Sequence, residues 1–90
     1  MQRPTPDRLG AMRALLEAQL EPTELAIDDD SVAHAGHAGA REGGHYRVRI
    51  RSARFRGLAP IARHRLVYDA LAPLMGQGIH ALSIDAQLPS

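Results

Sequence analysis

The stretch HYRVRIRS, residues 45–52, constrains this chain more than any other. Tyr46, Val48 and Ile50 fall on one face of an extended backbone, and Arg47, Arg49 and Arg51 fall on the other. A period of two this strict specifies a strand with one face packed and one face in water. Wound as a helix, the same residues would set Arg49 opposite Arg47 and Arg51, and Val48 opposite Tyr46 and Ile50, leaving neither face uniform. A half-buried strand cannot stand alone. It needs neighbouring strands to pair with and a second layer to cover its apolar face.

The rest of the chain supplies both. In LAIDDDS, Leu25 and Ile27 alternate with Ala26 and Asp28 as in a short strand, which the acidic run then breaks. In IHALSIDA, His80, Leu82, Ile84 and Ala86 share one face of a last strand. Two helices complete the set. Thr5 can cap the first, Pro6 suits its first position, and Asp7 complements its dipole. Leu9, Met12, Leu16 and Leu20 follow at helical spacing until Pro22.

Pro60 opens the second helix, IARHRLVYDALAPLM. Its expected apolar stripe is Ile61, His64, Val67, Tyr68, Leu71, Leu74 and Met75. Pro73 should make its last turn irregular, and Gly76 and Gly78 end it. The order is α-β-β-α-β. It implies an α+β fold: a small two-layer sandwich with a three-stranded sheet and both helices on one face. Ninety residues have room for a single domain, residues 1–90, with a core over about 6–88.

Composition narrows the function. There is no cysteine, so metal held by this chain would need histidine or carboxylate ligands. The absence of cysteine also removes a thiol nucleophile, and there is no phosphate-binding loop. Ser31, Ser52 and Ser83 sit in or beside strands and form no visible Ser-His-acid constellation, so no enzyme is expected. No apolar run reaches the ~20 residues of a membrane span, and MQRPTPDRLG lacks the apolar core of a secretory signal. The expectation is a cytoplasmic protein, monomeric in isolation and not bound to membrane. All eleven basic residues are arginine, but the net charge of +1 does not by itself imply a nucleic-acid partner.

Between the first two strands lies HAGHAGAREGG. It has four glycines and no apolar period, and it is long for a hairpin connection. With His45 it places His34, His37 and His45 close together. Local sequence leaves two readings open: a ligand-bearing loop, or polar filler in a loop built to turn. His80, at the start of a strand, reads from periodicity first as a histidine packed at the sheet edge, with a ligand as the alternative. His45 shares the face of Arg47 and reads as a strand residue. His64 reads as a packed histidine with a hydrogen-bonded ring.

Four stretches together resemble one family. DDSVAHAGHAG, GGHYRVRIRSARFRG, RHRLVYDAL and IHAL occur here in the order and at the spacing of BolA-like proteins. The resemblance spans nearly the whole chain and implies a fold like a class II KH domain. Ala59 departs from it, standing where the family often has a polar helix cap.

The resemblance also implies a partnership with a monothiol glutaredoxin around a shared [2Fe–2S] cluster. In such a pair the glutaredoxin contributes a cysteine and a bound glutathione thiolate, and the BolA-like chain contributes two ligands. Carried over by motif, these are His80 of IHAL and His34 after DDS, with His37 as the alternate. No cofactor is then expected in the isolated chain. Such a site serves iron–sulfur trafficking or iron and redox sensing. Two imidazoles in place of thiolates raise the cluster potential, and they must be neutral to ligate.

The competing reading is a DNA-binding transcriptional regulator of morphology and stress response acting through the KH-like surface. Arg47, Arg49 and Arg51, with Arg63 and Arg65, could meet phosphates. Against it, the one GxxG, Gly36–Gly39, lies between strands rather than between helices, and few aromatics are available to stack on bases.

Overall fold

The computed structural model describes residues 8–29, 44–76 and 79–90. Its elements run α1 (Arg8–Leu20), β1 (Glu24–Asp29), β2 (Gly44–Arg51), α2 (Pro60–Ala70) and β3 (Ile79–Gln87). Short 3₁₀ turns at Ala53–Phe55 and Ala72–Leu74 join them. This is the expected α-β-β-α-β order. The expected cap at Thr5, Pro6 and Asp7 lies outside the described residues.

β2 is the central strand. It pairs antiparallel with β1, Glu24 opposite Arg51 and Asp29 opposite Tyr46, and parallel with β3. The alternation read from HYRVRIRS holds. Tyr46, Val48 and Ile50 are buried beneath the helices, whereas Arg47 and Arg49 are exposed on the open face. Met12, Leu16 and Leu20 of α1 close the core from above with Val67, Ala70 and Leu71. Phe55, the single phenylalanine, is fully buried among them. Full burial of one such side chain contributes about 1.5–3 kcal/mol.

One expectation for α2 holds and one needs correction. The helix ends at Ala70, and Pro73 sits in a 3₁₀ turn that follows, the irregular last turn expected. The apolar stripe, however, is rotated. Ile61 is 73% exposed and Tyr68 40% exposed, while Val67, Ala70 and Leu71 are buried and Arg63 and Leu66 partly so. The face that meets the sheet therefore follows 63, 66, 67 and 70, a helical line that passes through Arg63. Ala59 provides no side-chain cap, as its side chain dictates, although its carbonyl accepts from the Ala62 and Arg63 amides.

Ser52 is the joint between the layers. It is fully buried, its hydroxyl donates to the Leu20 carbonyl at the end of α1, and it accepts from the Arg54 amide at 3.0 Å. Its own amide donates to the Gln87 carbonyl at 3.1 Å. α1 ends there because Glu21 takes a left-handed conformation, φ 47°, before Pro22.

Candidate functional site

Topology decides which of the candidate histidines can meet. β1 ends at Asp29 and β2 begins at Gly44, so the segment 30–43 leaves and re-enters the sheet at one end. β3 runs parallel to β2 and starts at that same end, with Ile79 opposite Gly44. His34 and His37 belong to that segment and lie outside the described residues. His80 lies within β3, and its backbone stands beside the point where the segment rejoins the sheet.

The register is irregular at that point. Gly44 pairs with Ile79 but His45 pairs with Ala81, which leaves His80 as the extra residue on β3. A bulge of this kind breaks strict alternation. From Ala81 to Gln87 the strand alternates between exposed and partly buried, yet Ile79 is buried, so the parity changes between 79 and 82. The sequence expectation that His80 simply shares the face of Leu82 rested on unbroken alternation, and the ladder is not unbroken there. Bulges re-aim side chains and are frequent next to functional sites.

Gly44 secures this end of the sheet. The ring of Tyr46 folds back over it so closely that any Cβ at position 44 would collide with the ring carbons and the hydroxyl. Tyr46 is itself buried, and its hydroxyl accepts from the Arg8 guanidinium at 3.1 Å. The second glycine of GG thus serves close packing under an aromatic ring. The sequence marked it only as part of a loop.

The other two described histidines sit on β2, across from Ala81, and on α2. His45 alternates to the Arg47 face, as read, but is half-buried, with Nε2 shielded from solvent. His64 is half-buried on α2, and none of the described residues hydrogen-bonds its ring, contrary to the packed and bonded histidine expected. Among the described residues, no three His, Cys, Asp or Glu side chains are grouped so as to hold a metal ion. Also among them, no helix is long and apolar enough to cross a membrane.

The arginines proposed for nucleic acid are unevenly available. Arg51 pairs with Glu24 at 3.0 Å and donates to the Leu88 carbonyl at 3.0 Å. Arg63 is no solvated helix residue: it donates to the Leu58 carbonyl at 2.9 Å and the Ala86 carbonyl at 3.2 Å. Arg49 and Arg65 are exposed. Across the open face, register sets Arg47 against Asp28 and Arg49 against Asp85. The face is a checkerboard of charge rather than a basic stripe. It includes a shallow groove of about 440 Å³ between Glu24, Arg49, Arg51 and Asp85.

Comparison with known proteins agrees with this architecture. The BolA-like protein family model matches residues 16–90. The chain is 44% identical over 88 residues to Protein BOLA1, chloroplastic, of Arabidopsis thaliana, covering 93% of this chain and 55% of that protein. It is 44% identical over 81 residues to BolA-like protein 1 of Homo sapiens, covering 90% of this chain and 58% of that protein. The chain thus spans little more than half the length of these two relatives. The structure of the BolA domain of SufE1 from Arabidopsis thaliana superposes with a TM-score of 0.81 at 44% identity, over 94% of this chain and 95% of that one. Matching helices, sheet and sequence alike, this chain belongs to the BolA-like protein family.

Proposed function

We propose that this chain is an adaptor that pairs with a monothiol glutaredoxin and shares a [2Fe–2S] cluster with it, for iron–sulfur trafficking or for iron and redox sensing. His80 supplies one ligand and His34 the other, with His37 as the alternate. The partner supplies its cysteine and the thiolate of bound glutathione. The cluster is cargo held between two proteins. A cytoplasmic setting, no membrane association and a monomeric free chain complete the proposal.

One observation carries this reading. The segment that contains His34 and His37 is anchored at the sheet end where β3 begins, and His80 occupies the bulge there. Both flanks of that segment and the start of β3 thus share one end of the sheet. The donor set agrees with the chemistry: the chain offers imidazoles and no thiolate, so a cluster bound by two histidines needs a second protein to complete its sulfur ligands.

The test is to mix the protein with a cluster-loaded monothiol glutaredoxin and glutathione and to record visible circular dichroism. A new spectrum is expected for wild type, absent in His80→Ala. Identical behaviour of wild type and His80→Ala removes the ligand assignment. His34→Ala and His37→Ala, run alongside, decide which loop histidine ligates.

The DNA-binding reading draws less support from the geometry. Arg51 and Arg63 spend their guanidiniums on internal carbonyls and a carboxylate, and acids stand opposite Arg47 and Arg49. Titration with duplex DNA at two salt concentrations tests it. A steep salt slope that falls when Arg63 and Arg65 are replaced by Ala would favour it.

A further inference from the structure

β3 is an edge strand nine residues long; among the described residues it pairs with β2 and, at Ile79 alone, forms an isolated bridge with Met75. In a strand, successive residues turn their backbone groups toward opposite edges. The Gln87 carbonyl points toward the β2 side, since it accepts from the Ser52 amide. The carbonyls of Leu82, Ile84 and Ala86 therefore face outward, where an open edge would receive another strand.

Two of the three are occupied by side chains that reach over from α2. The Tyr68 hydroxyl donates to the Leu82 carbonyl at a long 3.5 Å, and the Arg63 guanidinium donates to the Ala86 carbonyl at 3.2 Å. Arg63 also holds the Leu58 carbonyl, which fixes its position across the edge. Ile84 lies between these two guards.

Beyond the bulge at His80, from Ala81 to Gln87, the strand itself does nothing to prevent self-pairing. A two-fold antiparallel pairing centred on Ile84 would set Leu82 against Ala86 of a second copy, Ser83 against Asp85, and Ala81 against Gln87. No like charges oppose one another in that register, and apolar residues meet on one face and polar residues on the other. There is no proline or lysine in β3 to blunt the edge. We infer that the outer edge of β3 is a strand-pairing surface that fits a second copy of this chain, and that Arg63 and Tyr68 hold it closed. This assigns the exposed tyrosine of α2 and the arginine on its buried line to one task, and it stands independently of the cluster proposal.

Sedimentation velocity between about 10 µM and 1 mM tests the inference. Wild type is expected to stay monomeric. The double variant Arg63→Met, Tyr68→Phe keeps both hydrocarbon bodies but removes both donors, and it is expected to dimerise within this range. Adding Ser83→Asp places that carboxylate against Asp85 of the second copy twice, and is expected to weaken the dimer at least tenfold. Tyr68→Phe alone provides the same reading, at higher concentration, if the double variant loses its far-UV spectrum. A folded double variant that remains monomeric at 1 mM overturns the inference. So does a dimer indifferent to Ser83→Asp, or a wild type that dimerises through this edge.

Discussion

Replacing Ser52 by alanine should cost far more than a strand-flanking serine normally does. The change removes one oxygen from a fully buried site. Two hydrogen bonds go with it, one to the Leu20 carbonyl and one from the Arg54 amide. Each is worth about 1 kcal/mol net. The Leu20 carbonyl belongs to the last turn of α1, where no helical amide can serve it, so its desolvation adds to the loss. The sum is about 2–3 kcal/mol, a large fraction of the roughly 5–13 kcal/mol available to a chain of 90 residues. Urea unfolding followed by far-UV circular dichroism measures it, with an unchanged m-value expected. The corresponding fall in Tm is about 10 °C or more. Ser83→Ala, at an exposed position on β3, is the control and should stay within about 0.5 kcal/mol of wild type. Ser52 stands at the sheet end opposite His80, so below its melting temperature the variant should still form the glutaredoxin complex. A loss of less than about 0.5 kcal/mol for Ser52→Ala refutes the joint between α1, the first 3₁₀ turn and the sheet.

Gly44→Ala should destabilise by about 1–3 kcal/mol, because the buried Tyr46 ring must yield to the new methyl group. It should also weaken the visible circular dichroism of the complex by disturbing the bulge at His80. Phe55→Ala empties the site of the largest fully buried side chain and should cost about 3–5 kcal/mol in a urea melt, enough to leave a population unfolded at 37 °C. The glutaredoxin complex should weaken as pH falls below about 6.5, since a proton and the iron compete for the same imidazole nitrogen. A glutaredoxin that holds its cluster by thiolates alone should be stable through that window, and parallel loss of both signals would point to acid lability of the cluster itself.

The fold was largely legible because its strongest signals are local. HYRVRIRS fixes its own exposed and buried faces by period alone, and Met12, Leu16 and Leu20 do so for α1. What the sequence hid depends on contacts between distant segments. The face of α2 is set by how the crossover from β2 to β3 seats it, which moved Ile61 and Tyr68 outward and drew Arg63 in. A cation on a buried line reads as an error in periodicity until its carbonyl partners, near in space and far in sequence, are known. The same holds at His80. Alternation within IHALSIDA gave it the parity of Leu82, but the backbone pairing is irregular there, with Gly44 meeting Ile79 and His45 meeting Ala81. The family motif pointed to His80 regardless, because a motif keeps the residue without its reason. The geometry adds only where that residue stands: at the irregular start of β3, at the sheet end where β1 stops and β2 begins.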